Sequence, residues 1–231
     1  MLPTVLLTRP EAAARRFAAA LVHLGLPVVI SPALRILPVA HDGRALARAG
    51  GLVFTSVHAI PAAGAARGRP AICVGPATAE AARKAGFEVT EGPGDAEGML
   101  PLLQDLGPGW LHPHGAHIAR ELPVQGMIVY DQVALSPSTR ARDVLSGSGP
   151  VILPLFSPRS AKLVSDWVGR AVAPLWLASI SAAARAAWHA DAARSVTAMT
   201  PDAAGMRAAI ETLLAGEPPI ARRVEAPRGG D

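Results

Sequence analysis

Cysteine, aromatic residues and long apolar runs are all scarce in this chain. A single cysteine, Cys73, occurs among 231 residues, so the chain cannot form an internal disulfide. Aromatic residues make up 4% of the chain although 50% of it is hydrophobic, and much of the apolar content is alanine. The best candidate for a membrane span, residues 171–184, contains Pro174 and is shorter than the roughly 18 residues that a spanning helix needs. We therefore expect no membrane partner.

The sequence also lacks an export signal. No basic segment precedes the first apolar run, and Arg9 interrupts that run, whereas a secretory signal needs both features intact. Cys73 lies in the apolar stretch 71–74 and is expected to be a small core residue. A cytoplasmic location follows by default.

Positive charge is in slight excess but is not clustered. The chain has 22 lysines and arginines against 18 acidic residues, which gives a formal net charge of +4. The arginines are scattered along the chain, whereas nucleic-acid-binding proteins usually carry a basic stripe. The charge pattern therefore predicts a small polyanionic ligand and no nucleic-acid partner.

Short apolar segments alternate with helical stretches along the whole chain. We predict strands near residues 4–8, 27–31, 51–55, 71–75, 87–90, 110–113, 127–131, 151–156, 175–179 and 195–199. Continuous apolar strands that alternate with helices are typical of parallel sheets covered on both faces. The sequence therefore predicts an α/β fold.

Two parts of the chain repeat the same pattern. Thr55 is followed by a second turn at 75–79, and Ser157 is followed by a second turn at 179–183. Each copy then leads through a helix and a strand to the motif Asp-Ala-x-Gly-Met, at 95–99 and at 202–206. Agreement at so many points predicts an internal duplication of three strands.

The duplication suggests how the domains are organised. The predicted strands 4–8 and 27–31 complete the C-terminal copy, and the strands 110–113 and 127–131 complete the middle copy. Two five-stranded flavodoxin-like domains result, and the strands of the middle domain occur in the permuted order 3-4-5-1-2. The predicted domains are a discontinuous one, 1–35 and 136–216, and an inserted one, 36–135. Two crossings near 34–41 and 130–138 join them, and the tail 217–231, rich in proline, arginine and glycine, is predicted to be disordered.

Polar turns follow several predicted strands. In open parallel sheets ligands bind at the carboxyl ends of the strands, and the free amides of a helix N-terminus favour anions. Each serine or threonine taken alone is as well explained as an N-cap, but the recurrence in both halves favours a binding surface. The candidate binding residues in these turns are Thr8, Arg9, Thr55, Ser56, Gly75, Thr78, Ser157, Arg159, Ser160, Ser179 and Ser181.

Three histidines within residues 112–117 raise the question of a metal site. Pro113 and Gly115 predict a turn there, and no nearby carboxylate or cysteine completes a ligand set, so we expect no metal. His114 is instead expected to face a ligand from the turn. Neither a dinucleotide-binding G-x-G-x-x-G after a strand nor a P-loop motif occurs.

Several short motifs, taken in order and spacing, resemble the uroporphyrinogen-III synthase family. They are Leu6-Leu7-Thr8-Arg9-Pro10, Phe54-Thr55-Ser56, Val74-Gly75-Pro76-Ala77-Thr78-Ala79, Val129-Tyr130 and Phe156-Ser157-Pro158. The resemblance implies two flavodoxin-like domains joined by a two-stranded linker, and an enzyme without a cofactor. It also implies the reaction, in which linear hydroxymethylbilane loses water and closes to uroporphyrinogen III with its ring D inverted.

The resemblance also assigns roles to residues. The substrate carries eight carboxylates, for which the turns are expected to supply backbone N–H donors. Tyr130, the only tyrosine, matches the family tyrosine proposed to protonate the departing hydroxyl, although packing at a strand end explains it equally well. Where the family often has Arg-Gly and Ile-Gly-x-x-Thr, this chain has His114-Gly115 and Ser179-Ile180-Ser181-Ala182-Ala183. Ser179 and Ser181 are then the natural substitutes for the contacts that the family's threonine would make.

Two other functions remain open at this point. A cytoplasmic two-lobed protein that binds carboxylates without catalysis would share the same turns. A flavin-binding electron carrier would share the fold, but the first turn, Thr8-Arg9-Pro10-Glu11, lacks the glycine and hydroxyls that wrap a phosphate. We expect a monomer that binds a small polycarboxylate.

Overall fold

The computed structural model describes residues 2–118 and 120–216, so the predicted disordered tail lies outside the described residues. The chain divides into two compact units. The inserted unit is Arg35–Val133, and the terminal unit comprises the described residues on either side of it. Among the described helices, none combines the length and the apolar character needed to cross a membrane.

Strands and helices alternate along the described chain. The strands are β1 (Thr4–Leu7), β2 (Val28–Ile30), β3 (Leu34–Pro38), β4 (Gly51–Phe54), β5 (Pro70–Cys73), β6 (Glu88–Glu91), β7 (Trp110–Gly115), β8 (Gln125–Ala134), β9 (Val151–Leu155), β10 (Leu175–Ser179) and β11 (Arg194–Thr197). The α-helices are α1 (Glu11–Ala20), α2 (Gly43–Arg48), α3 (Pro76–Lys84), α4 (Leu100–Leu103), α5 (Thr139–Ser146), α6 (Pro158–Trp167), α7 (Ala182–Ala186) and α8 (Ala203–Ala215). Short 3₁₀ helices occupy Val22–Leu24 and Val57–Ala63.

The terminal unit contains a five-stranded sheet in the order β11-β10-β9-β1-β2. All neighbouring strands are parallel, with Val5 opposite both Val28 and Ile152. Alternate strand residues point to opposite faces, so α1 and α8 cover one apolar face while α5 and α6 cover the other. The prediction of an α/β fold with a parallel sheet is confirmed.

The inserted unit contains a six-stranded sheet in the order β3-β8-β7-β4-β5-β6. The pairs from β8 to β6 are parallel. The apolar pattern predicts a crossing rather than a strand at 34–41, because Leu-Arg-Ile-Leu-Pro carries an arginine and a proline. Such residues are tolerated at a sheet edge, where β3 has a single neighbour, β8.

The predicted turn at Pro113 and Gly115 does not form. Strand β7 continues through both residues to Gly115. Its pairing with β4 covers only Trp110 and Leu111, so beyond that point β7 bonds only to β8. The missing N–H of Pro113 therefore costs little, since proline is accepted where one side of a strand has no partner.

Cys73 is fully buried in β5, as expected for a core residue. Burial is the main cause that raises the pKa of its thiol to about 11. The thiol is consequently protonated at neutral pH and packs with Phe54, Ala79 and Phe87 in the same apolar cluster.

The repeated motif Asp-Ala-x-Gly-Met forms the same turn in both units. The Asp95 carboxylate accepts a hydrogen bond from the Gly98 N–H at 2.7 Å. The Asp202 carboxylate accepts one from the Gly205 N–H, also at 2.7 Å, and so caps α8. The methionine that follows each glycine is fully buried. One local interaction therefore explains the motif at both positions.

Neither glycine of the motif leaves room for a side chain. A Cβ atom at Gly205 would lie 2.1 Å from the carbonyl oxygen of Thr200, and one at Gly98 would lie 2.4 Å from Cγ of Pro93. At Gly205 the obstacle is backbone, which cannot rotate away as a side chain can. Gly205 is therefore required, because the Thr200 carbonyl packs directly against the start of α8.

One histidine, His112 of β7, is buried, with 2% of its surface exposed. Its Nε2 lies 3.0 Å from Oγ1 of Thr55, and its ring centroid lies 4.8 Å from that of His114. Burial first, and the neighbouring His114 second, lower the pKa of His112 to about 4. His112 is therefore neutral at physiological pH.

We expect Gly205→Ala to lower the free energy of unfolding by about 2 kcal/mol. Overpacking costs about 1–3 kcal/mol, with the upper end expected against a backbone obstacle, and the ~1 kcal/mol by which a helix prefers alanine to glycine offsets part of this cost. The matched control is Gly43→Ala at the start of α2, where a Cβ atom meets nothing within 4 Å. Urea unfolding of both variants checks the prediction, and equal stability of the two would contradict it.

His112 should make stability depend on pH. Its folded pKa of about 4 lies below the ordinary value of 6.5, so the unfolded state takes up the proton first as the pH falls. Stability should decline by about 2 kcal/mol from about pH 7 to about pH 5 on this account, and level off below about pH 4. Urea unfolding of the wild type and His112→Gln over this range isolates the effect. Identical pH profiles would refute it.

Candidate functional site

In the terminal unit, three polar turns lie together at the carboxyl edge of the sheet. Strands β1, β9 and β10 are adjacent and parallel, so their carboxyl ends meet at one edge. The predicted binding residues that end or follow these strands are thereby brought to that edge. They are Thr8, Arg9, Ser157, Arg159, Ser160, Ser179 and Ser181.

Arg9 provides a positive charge at this edge. Its guanidinium carbon lies 3.9 Å from the ring centroid of Phe156, which in turn packs edge-on against Phe17 with centroids 4.9 Å apart. Burial, and then the neighbouring Arg16, lower the pKa of Arg9, but a guanidinium in a protein stays charged. The stacking holds the charge in one position, which suits a carboxylate ligand.

Serine hydroxyls in the turns of the terminal unit are used as helix caps. Ser157 Oγ accepts a hydrogen bond from the Ser160 N–H at 3.1 Å, and the Ser160 hydroxyl donates to the Ser157 carbonyl at 3.1 Å. Ser181 Oγ accepts from the Ala184 N–H at 3.2 Å. Capping, the simpler of the two interpretations, thus accounts for Ser157 and Ser181, and their contact with a ligand stays a prediction.

Three other predicted hydroxyls are buried. Thr8 and Thr78 are almost fully covered, and Ser179 has no exposed surface. Ser179 Oγ has no hydrogen-bond partner among the described residues. Side chains in these positions have little surface to offer a ligand, so contacts from these turns would come from backbone groups.

The helices that begin at Glu11 and Pro76 have uncapped N-termini. Pro10 precedes α1 and Gly75 precedes α3, and neither helix start receives a side-chain hydrogen bond. The first amides of α1 and α3 consequently lack a side-chain acceptor. Free amides at a helix N-terminus attract anions, so these two starts are the better anion sites among the predicted turns.

Gly75 is in close contact with another glycine. A Cβ atom at Gly75 would lie 3.0 Å from Cα of Gly94, whose N–H donates to the Val74 carbonyl at 2.7 Å. Gly94 adopts a φ of +113°, which a residue with a side chain rarely accepts. The glycine at position 75 is thus needed for packing of the chain itself, whether or not a ligand approaches it.

Tyr130 lies at the carboxyl edge of the inserted unit. Strand β8 runs on after β7 has ended at Gly115, and Gly115 is paired with Tyr130. A Cβ atom at Gly115 would lie 2.6 Å from Cε2 and Cζ of Tyr130, so the ring rests directly on the glycine. Only 5% of Tyr130 is exposed. The structure therefore brings together Gly115 and Tyr130, two residues predicted separately.

A groove of about 440 Å³ opens beside Tyr130. It is mainly apolar and contains two histidines that sequence reasoning missed, His41 and His58. The His58 ring is 5.8 Å from the Tyr130 ring, centroid to centroid. His58 follows the turn Thr55-Ser56 closely, and this position after a strand end was the available signal. The groove is lined by Ile36, Pro38, His41, Val57, His58, Pro61, Ala62, Val129 and Tyr130.

The other predicted residues of the inserted unit are held by neighbours. Ser56 Oγ accepts from the His58 N–H at 3.3 Å and caps the 3₁₀ helix, while Thr55 contacts His112 as described above. His114 lies against β8, since a Cβ atom at Gly126 would be 2.7 Å from its Nε2. It lines a separate cavity of about 200 Å³, so the structure does not bring His114 to the groove beside Tyr130.

The three histidines of 112–117 do not meet at one point. His117 lies 3.5 Å from Asp131, while His112 contacts Thr55. Within residues 2–118 and 120–216, no group of three or more histidine, cysteine or acidic side chains is placed to hold a metal ion.

Solved structures resemble this fold. Uroporphyrinogen-III synthetase from Helicobacter pylori superposes with a TM-score of 0.61 at 15% identity, over 92% of this chain and 100% of that one. A mutant uroporphyrinogen III synthase from the extremely thermophilic bacterium Thermus thermophilus superposes with a TM-score of 0.56 at 15% identity, over 93% of this chain and 100% of that one. At this identity the comparison shows likeness of fold.

The sequence comparison identifies the family. No curated protein matches the chain significantly. The family model described as uroporphyrinogen-III synthase HemD matches residues 15–208, which is most of the chain and includes parts of both units. The chain therefore belongs to the uroporphyrinogen-III synthase family.

Proposed function

We propose that this chain closes linear hydroxymethylbilane to uroporphyrinogen III, with loss of water and inversion of ring D. The match of the family model to residues 15–208 is the observation that carries this proposal. The activity is that of a cyclising lyase in tetrapyrrole biosynthesis. A cytoplasmic monomer without a nucleic-acid partner accords with the scattered arginines and the single cysteine.

Each unit fits a flavodoxin-like domain. Flavodoxin-like sheets have the strand order 2-1-3-4-5. In the terminal unit the order β2-β1-β9-β10-β11 corresponds to it directly. In the inserted unit the order β8-β7-β4-β5-β6 corresponds to it when β7 is counted first, and β3 adds an edge strand next to β8. This supports domains at 1–35 with 136–216 and at 36–135, with β3 and β8 as the linker strands.

Backbone amides, rather than hydroxyls, are the main carboxylate donors in this proposal. The caps at Ser157 and Ser181 already use their hydroxyls, and Thr8, Thr78 and Ser179 are buried. The uncapped starts of α1 and α3 offer amides, and Arg9 adds a fixed charge in the terminal unit. Amide donors depend on backbone geometry, which lets the sequence diverge while the activity is kept.

Tyr130 is the proposed proton donor. The C–O bond of the hydroxymethyl group breaks as the phenol proton passes to the departing hydroxyl, which leaves as water. The bilane chain that remains is an azafulvenium cation, which becomes the neutral azafulvene when its pyrrole N–H returns a proton to the phenolate. The terminal pyrrole then attacks the azafulvene. Because the bilane closes unaided to the non-inverted isomer, the protein's main task is to fix the geometry of closure. The fixed ring of Tyr130 beside a mainly apolar groove supports this role.

One assay separates this function from carboxylate binding without catalysis. Hydroxymethylbilane is generated in the presence of the purified chain, and the uroporphyrin isomers are separated after oxidation. The proposed function gives mainly the type III isomer. Type I alone, in the amount formed without protein, would leave a binding protein as the better description.

Tyr130→Phe should reduce kcat by about 10²-fold. The change removes only the O–H, and general-acid assistance is typically worth about 10²–10⁴-fold, the lower end applying because the pyrrole already activates the leaving group. The isomer should remain type III, since inversion depends on how the bilane is held. Full activity would return Tyr130 to a packing role, and a switch to type I with turnover preserved would make it a positioning residue.

Single hydroxyls should matter less than backbone geometry. Ser157→Ala is expected to lower kcat/KM no more than about fivefold, because it removes a helix cap worth about 1 kcal/mol and leaves the amides in place. Gly75→Val should cost much more, since its side chain would displace the 92–98 segment next to the start of α3. Steady-state kinetics, with circular dichroism as a folding control, measure both. A loss of several orders of magnitude in Ser157→Ala would instead indicate that this hydroxyl acts chemically.

A further inference from the structure

His58 has no role in the reaction described so far, yet it contacts the proposed proton donor. Its ring lies 5.8 Å from that of Tyr130, with an angle of 65° between the planes. This is an edge-to-face arrangement, which aromatic pairs favour. Both rings line the same groove of the inserted unit.

The Tyr130 ring is also in close contact with the backbone of Gly115. Gly115 lies under the ring so closely that a Cβ atom there would also be 2.9 Å from the phenolic oxygen. The Tyr130 carbonyl accepts a hydrogen bond from the Ala116 N–H at 2.9 Å, which fixes the backbone of β8 at this point. The Tyr130 ring therefore contacts the backbone of Gly115, and it also contacts the ring of His58, which lies in the 3₁₀ helix Val57–Ala63.

His58 is itself held in place. Its backbone N–H donates to Ser56 Oγ at 3.3 Å, and the Ala59 N–H donates to the Ser56 carbonyl at 3.2 Å. The next two residues, Ala59 and Ile60, are buried in the core of the inserted unit. A capped helix start anchored in the core gives the imidazole a defined position, so Ser56 would act on Tyr130 through His58.

We propose that His58 is a positioning residue for Tyr130. Its imidazole ring keeps the phenol ring packed against Gly115, with the hydroxyl in one orientation. The proposal rests on the proposed role of Tyr130 in the reaction. The observed contact is edge-to-face, so the proposed contribution is that of the ring contact.

The first test compares His58→Ala with His58→Phe. Edge-to-face pairs are worth enough to change a rate about three- to tenfold, so His58→Ala should lower kcat by that factor with KM little changed. His58→Phe keeps an aromatic edge and should restore most of kcat. The matched control is His23→Ala, a half-exposed histidine of the terminal unit beside Glu211, which should behave like the wild type. Unchanged kcat in His58→Ala, or no recovery in His58→Phe, would overturn the proposal.

A double-mutant cycle tests whether His58 acts through Tyr130. Once the phenolic O–H is gone, its orientation no longer matters, so adding His58→Ala to Tyr130→Phe should cause no further loss of kcat. A multiplicative loss in the double variant would show that His58 acts independently of Tyr130 and would overturn the proposal.

A readout without catalysis separates this proposal from the function on which it rests. Tyr130 is the only tyrosine, so ring-labelled tyrosine gives NMR signals from this residue alone. Flipping of the Tyr130 ring should be faster in His58→Ala than in the wild type or in His23→Ala. Unchanged flipping would refute the positioning role even if Tyr130→Phe is inactive. Faster flipping with a fully active Tyr130→Phe would instead refute the catalytic role of Tyr130 and leave the contact established.

Discussion

Parallel strand pairing is the constraint on which the candidate site depends in both units. A parallel neighbour requires the chain to return to the same end of the sheet, so the turns that follow the strands are collected along one carboxyl edge. Helices begin there, with their amides directed towards the edge. A chain with few charged side chains in its turns can in this way still present positive potential to a carboxylate.

Close contacts between the backbone and a ring, or between two backbone segments, depend on glycines at three positions. Gly115 admits the ring of Tyr130, Gly75 admits Gly94, and Gly205 admits the carbonyl of Thr200. In each case a missing Cβ atom, rather than a special backbone angle at that glycine, is what the structure uses. Glycines without a reactive side chain thus shape the candidate site, at Gly75 and Gly115, and the start of α8, at Gly205.

The sequence predicts the strands, the parallel sheets and the repeated turn, because apolar runs and capping residues are local signals. The apolar pattern did not predict β3, whose arginine and proline are acceptable only at a sheet edge, although the family resemblance implied a two-stranded linker. Nor could it show that Thr8 and Ser179 are buried or that His114 and Tyr130 line different cavities, since those facts depend on which residues pack above each strand. For Ser157, the local capping interpretation and the binding interpretation had the same sequence signature, and only the geometry separates cap from ligand donor.

The terminal unit is assembled from both sides of the inserted one, and this bears on the order of folding. Strand β1 pairs locally with β2, but its other neighbour is β9, where Thr4 lies opposite Val151. All the residues of the inserted unit, Arg35–Val133, are made before β9 is. During synthesis the inserted unit can therefore complete its sheet first, while the exposed side of β1 must wait for a long loop to close. The strand that carries Thr8 and Arg9 to the site is thus among the first made and the last to be enclosed.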